Sequence, residues 1–263
     1  MKQVLKYLHL WKKLTSNSFM SVLTTRFNAL IFLLGKSLRF IFFLVFLGTL
    51  FSKTQLIAQY TALQAMFFYL TYNIVDTTTQ LFFREVYRFR PMIVSGDFDL
   101  VLVKPINPLF RALAGGADPL DLFMLVPYIG ALAYTAHLLR IITITNVSVY
   151  MLLLLNGILI AAGFHILVLA LAILTTEIDH AIMIYRDLTS MGRVPVEIYR
   201  DPLRSILTFV VPVGIMMTFP AKAFLGLLSF RTIAFSCFLG VAFVSVCYRV
   251  WKYSLSRYSS ASS

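Results

Sequence analysis

The chain has 263 residues, 59% hydrophobic and only 13% charged, with a mean hydropathy of +0.84. A soluble globular chain is roughly half apolar and a quarter charged, so a water-soluble enzyme, a disordered chain and a disulfide scaffold are excluded. The net charge is +12, but the basic residues flank long apolar runs, which points to membrane topology and lipid headgroups and away from nucleic acid.

Residues 1–25 lack the compact apolar run of a cleavable signal. On a helical wheel Lys2, Lys6, His9, Lys12 and Lys13 share one arc. Val4, Tyr7, Leu8, Trp11, Leu14, Phe19 and Val22 share the opposite one. This predicts an amphipathic helix lying in the membrane interface. The alternative, a surface helix on a soluble core, has no such core to follow it.

A bilayer core needs about 20 mostly apolar residues per helix. Spans are expected over about 27–51, 56–83, 120–139, 147–175 and 231–251. Cys237 and Cys247 fall in the last of these and read as small hydrophobes. The remaining span is ambiguous. Residues 176–195 carry Glu177, Asp179, His180, Arg186 and Asp187, while 203–219 is apolar but interrupted by Pro212 and Gly214. Either 203–219 spans, or 178–194 spans and 196–220 enters the membrane and returns. Broken backbone at membrane depth needs a cover of protein or water, so Pro195, Pro212 and Pro220 favour the re-entrant reading. Positive charge in residues 1–26, after the second helix (Arg84, Arg88, Arg90, Lys104, Arg111) and in the tail outweighs that on the other side. Both termini are therefore expected in the cytoplasm.

The expected fold is an all-α integral membrane protein. One transmembrane domain holds six helices, an interfacial helix (1–25), a cytoplasmic loop (84–119), a re-entrant segment (196–220) and a cytoplasmic tail (252–263). The loop, at about 36 residues, is too short for a catalytic domain. It can form two short helices separated by turns at Pro105 and Pro108, and Ser95 with Asp97 can cap a helix starting near Phe98.

Two motifs are decoys. Leu34-Gly35-Lys36-Ser37 resembles the end of a P-loop, but the first glycine of that motif would fall at position 30, a leucine, and the stretch lies in an apolar helix. Residues 113–118 form a flexible turn with nothing catalytic beside it. Glu177 and His180 lie one helical turn apart, but a di-iron bundle needs two such pairs; a polar turn at the membrane edge is the simpler reading. No catalytic residue, metal site or bound cofactor is expected in this chain.

Charges within the spans carry more information. Lys36 and Arg39 fall mid-way along the first span and Asp76 in the second. Such residues are costly in lipid and face protein or water. Antiparallel packing about a turn near residue 53 places residue 76 opposite residue 31, within about 8 Å in depth of Lys36. Lys36 and Asp76 then form an ion pair between helices, or the basic residues line a path that attracts an anionic lipid or substrate. Snorkelling to an interface is the third option.

Three stretches together resemble the membrane subunit of an ABC transporter of the ABC-type-2 permease family. They are Ile93-Val-Ser-Gly-Asp-Phe-Asp-Leu-Val-Leu-Val-Lys-Pro105, the run from Val194 through Pro212 to Gly226, and the ending Trp251-Lys-Tyr-Ser-Leu-Ser-Arg-Tyr258. The resemblance covers nearly the whole chain and implies an ATP-driven exporter in the cell membrane. It implies a second permease, identical or paralogous, and two ATP-binding subunits that hold ATP and Mg. By matching position, Gly96, Asp97, Asp99, Leu100, Leu102, Lys104 and Pro105 would form or flank the coupling helix against the ATPase. Arg186 and Asp187 depart from the family pattern, where apolar residues are expected. A self-contained channel or secondary transporter is the rival class, and a lipid enzyme built on Glu177, Asp179 and His180 a third.

Overall fold

The computed structural model describes residues 2–175 and 178–259, without the side chains of Lys2, Ile178 and Asp179. These residues form helices and no strand. In chain order they are α1 (Lys2–Thr24), α2 (Arg26–Phe51), α3 (Ala62–Phe83), α4 (Phe89–Val94), α5 (Asp97–Leu102), α6 (Pro108–Leu113), α7 (Pro119–Leu139), α8 (Ile144–Thr175), α9 (Ile178–Ser190), α10 (Leu203–Val210), α11 (Gly214–Phe224) and α12 (Phe230–Ser256). Among the described residues α2, α7, α8 and α12 are long and apolar enough to cross a membrane, and α10 with α11 makes a fifth if the bent pair is one span.

Local chemistry sets the ends. The Thr61 hydroxyl accepts from the Gln64 N–H, and the Gln64 side chain accepts from the Thr61 N–H at 2.9 Å. This capping box starts α3. The preceding turn closes with Ile57 and Tyr60 exchanging backbone hydrogen bonds at 3.0 Å. The second helix therefore begins at Ala62, six residues after the expected 56. Asn107 and Asp118 cap α6 and α7, each followed by a proline at the first helical position.

The expected third, fourth and sixth spans lie within a few residues of α7, α8 and α12. The second expected span, α3, carries Asn73, Asp76 and Gln80, and is buried along most of its length. Protein covers its polar groups. The ambiguous stretch divides between α9 and the α10–α11 pair. Helix α9 has 13 residues, about 20 Å at 1.5 Å per residue, well short of a bilayer core. The stretch after it bends by 77° between α10 and α11, and Pro212 sits at the bend. Pro195, Pro212 and Pro220 are all buried, so the broken backbone has the protein cover it requires.

Helix α8 is the central post and α12 lies along it. Small residues allow the approach. A Cβ at Gly163 would lie 2.8 Å from the Phe243 ring, and one at Gly240 would overlap the Asn156 carboxamide. That carboxamide donates to the Ser236 carbonyl at 3.0 Å, which ties α8 to α12 where water is absent. On the other side, a Cβ at Gly157 would lie 2.5 Å from the Met216 carbonyl of α11. We expect Gly240→Val to cost roughly 1–3 kcal/mol by overpacking, read as a lower melting temperature of the purified protein in detergent, whereas Gly35→Ala, which meets nothing within 4 Å, leaves it unchanged.

Candidate functional site

The intramembrane charges do not pair as the sequence suggests. Lys36 pairs with Asp121 of α7, and Arg84 at the end of α3 pairs with Asp118 and reaches Asp121 at 3.6 Å. Asp121 is fully buried. Lys36 and Arg84 both stand over the Phe32 ring, 4.8 and 4.9 Å from its centre. The Lys36–Asp76 pair is therefore corrected to Lys36–Asp121. The cause is register and direction. Contacts of Phe43 with Tyr69 (4.1 Å) and Phe32 with Arg84 put Asp76 level with residues near 38, not 31, because the turn before α3 is longer than expected. At that level Lys36 points to α7, while Asp76 accepts from Gln80 Nε2 at 3.1 Å and faces α9.

On the α9 side the polar groups enclose a cavity of about 300 Å³. Arg39 of α2, Asp76 of α3, Arg186 and Asp187 of α9, and Arg193 in the turn after α9 line it with Tyr72, Tyr87 and Tyr185. The Arg193 guanidinium lies 5.9 Å from the Tyr72 ring centre. Behind Tyr185, the buried His165 of α8 packs with its ring 4.8 Å from the tyrosine's. Arg186 and Asp187, out of place in an apolar span, are thus wall residues of a polar space. A second cavity, of about 250 Å³, shares Arg39 and Arg186 and runs past Gly35 to Phe32 and Arg84. A small third one shares Arg193 and runs past Phe46 and Pro195 to Phe51. Together they follow α2 from residue 32 to 51, about 28 Å at helical rise, close to a bilayer core of about 30 Å. Sequence reasoning found Arg39 and Asp76 but missed Arg193 and the three tyrosines; helical spacing carries no signal for residues brought together from four elements.

The loop forms three short helices, α4, α5 and α6. Gly96 takes φ +79° before α5, a left-handed turn that a Cβ disfavours. The Asp97 N–H donates to the Ser95 hydroxyl at 3.4 Å, so the helix starts one residue before the expected Phe98. Phe98 and Val101 face inward against Phe89 and Trp251. Leu102 packs on the same cluster. Tyr258 crosses Phe98 edge-on at 5.3 Å, and burial, with the Asp99 carboxylate beside it, pushes its hydroxyl up to about 12. Outward stand Leu100 (58% exposed), Val94 (63%) and Val103 (79%), rimmed by exposed Asp97, Lys104 and Pro105. Val94 and Val103 belong to this face and were not singled out from the sequence.

Helix α1 grips the same loop. Lys6 donates to the Pro105 carbonyl at 2.6 Å, the Asn107 N–H to the Tyr7 hydroxyl at 3.0 Å and the Ala117 N–H to the Thr15 hydroxyl at 3.1 Å. Gly116 lies against the Leu14 carbonyl with no room for a Cβ. Tyr7, Trp11 and Leu14, expected to face lipid, are partly covered by protein, while Val4, Leu5, Leu8, Met20 and Leu23 remain exposed. Glu85, paired with Arg111 at 2.7 Å, ties the end of α3 to α6. Glu177 and the side chain of Asp179, expected in a polar turn, lie outside the described residues.

Several apolar helices of bilayer length, packed around polar groups, define a multi-pass membrane protein. The family model for ABC-2 family transporter proteins matches residues 37–262, and the chain belongs to that family. Neither a curated protein nor a solved structure matches it.

The buried charges make a direct prediction. Asp121→Leu leaves Lys36 without its partner and weakens the hold on Arg84, and should cost about 3–5 kcal/mol, seen as loss of folded protein in a detergent melt. Lys36→Met combined with Asp121→Leu removes the stranded charge and should recover part of that loss.

Proposed function

We propose that this chain is the permease subunit of an ATP-driven exporter, working as a pair of such chains, identical or paralogous, with two ATP-binding subunits that hold ATP and Mg. In this reading six segments span the cell membrane, α3 and the 178–194 stretch among them, both termini are cytoplasmic, and α10 with α11 forms a re-entrant segment, a reading supported by Glu197, Arg204 and Lys222 lying together at its two ends. The observation that carries it is the tip of the loop. Val94, Leu100 and Val103 are apolar, exposed and adjacent in sequence to charged ends, while the other face of the same short helices is locked to α8 and α12 through Phe98, Trp251 and Leu102. A tip that docks in a groove of a partner and cannot move without its core transmits a rigid-body shift. Gly96, Asp97, Asp99, Leu100, Leu102, Lys104 and Pro105 make up that coupling element, Asp99 and Leu102 from the braced side. The exposed apolar residues of α1 would rest in the inner leaflet. Lys36 and Arg84 brace the cytoplasmic mouth of the track, and Arg39 and Asp76 line it as the substrate path.

A mild-detergent pull-down of the tagged chain from its native membrane, with mass spectrometry of the eluate, tests this. An ATP-binding protein should accompany the wild type. It should be lost, with the melting temperature unchanged, from Leu100→Asp combined with Val103→Asp. A folded chain recovered without any ATP-binding protein would move a channel or secondary transporter to the front.

A further inference from the structure

Arg39, Arg186 and Arg193 reach one cavity from three separate elements. Among the described residues none of the three forms an ion pair, although Asp76 and Asp187 share the cavity wall. Asp76 is engaged by Gln80 instead. The contrast with Lys36 and Arg84, both tied to α7 carboxylates, is local and clear. Three guanidiniums against two carboxylates leave a positive charge in excess at membrane depth, which is costly, and an anion entering the cavity removes that cost.

The donors decide the chemistry. Guanidinium forks suit the several oxygens of a phosphate, and forks arriving from different sides suit its tetrahedral shape. Size and surroundings decide the rest. About 300 Å³ holds a phosphate with a small polar group and no acyl chain. The neighbouring space along α2 toward residue 51 is walled by Phe46, Leu47 and Leu50, and Phe42 and Phe46 on α2 are exposed. A chain attached to the phosphate would lie along that flank. We propose that the Arg39–Arg186–Arg193 cavity binds the phosphate headgroup of an amphiphile, with its apolar chain laid along α2. That this amphiphile is the transported molecule rests on the permease reading; that it binds does not.

Native mass spectrometry of the purified full-length chain in neutral detergent tests the site. Three probes are offered: dioleoyl phosphatidate, dioleoylglycerol, which lacks the phosphate, and glycerol 3-phosphate, which lacks the chains. Phosphatidate should be retained and the other two not. Equal retention of dioleoylglycerol would overturn the role of the arginines, and equal retention of glycerol 3-phosphate the role of the chain. Arg39 makes no hydrogen bond or ion pair among the described residues, so Arg39→Gln should fold normally and weaken phosphatidate binding on the order of tenfold, the worth of one charged hydrogen bond. Arg39→Lys, which keeps charge and loses the fork, should fall between. Arg231→Gln, at the start of α12, should bind as the wild type does. Unchanged retention by folded Arg39→Gln and by Arg186→Gln would overturn the proposal. The pull-down above is independent. An ATP-binding partner recovered with a chain that ignores phosphatidate would sink this site alone, and the reverse result would sink the transport reading alone.

Discussion

Asp121 is the point on which the loop-bearing half of this protein depends. It is a fully buried carboxylate that holds Lys36 of α2 and, with Asp118, Arg84 of α3. One residue at the start of α7 thus gathers three helices. Ion pairs of this kind contribute little net stability against a well-packed apolar alternative, but breaking one leaves an uncompensated buried charge. Their effect is to permit few arrangements. Lys36 must point to α7, which turns Arg39, nearly one helical turn further along α2, toward α9 and the polar cavity.

The same constraint reaches the loop. Arg84 sits next to Glu85, and Glu85 pairs with Arg111 of α6. A Cβ at Gly115 would lie 2.6 Å from the Glu85 carboxylate, so the chain leaving α6 wraps that side chain closely. From there Phe98, Phe89 and Trp251 carry the contact to α12, and α1 clamps the outer edge through Lys6, Tyr7 and Thr15. The loop is a braced extension of the membrane core. A push on its exposed tip is therefore a push on α8 and α12, the two helices held closest by Gly163 and Gly240.

Departures from apolar sequence mark where polar work is done. Arg186 and Asp187 make α9 a poor membrane helix by composition, and they face the one space where Asp76, Arg193 and three tyrosines also meet. The π-type turn after Pro212, Gly214–Thr218, falls beneath the cover of α8 and α3, where unpaired backbone groups are shielded from lipid.

The sequence by itself determined the class of the protein and most of its long helices. Apolar runs of bilayer length announce α2, α7 and α8 whatever they pack against, since hydrocarbon demands continuous helical hydrogen bonding. The break at Pro212 and the turn at Pro105 were legible too, because proline acts locally. The tertiary structure alone decided which charge meets which. Lys36 and Asp76 look like partners when depth is counted along two ideal helices. Six more residues in the turn before Ala62, and the direction each side chain takes around its helix, send them to different neighbours. Pairings across 85 residues of chain, as between Lys36 and Asp121, depend on how whole helices dock, and helical periodicity says nothing about that. For the same reason the Arg39–Arg186–Arg193 cavity could be seen only once α2, α3 and α9 stood side by side.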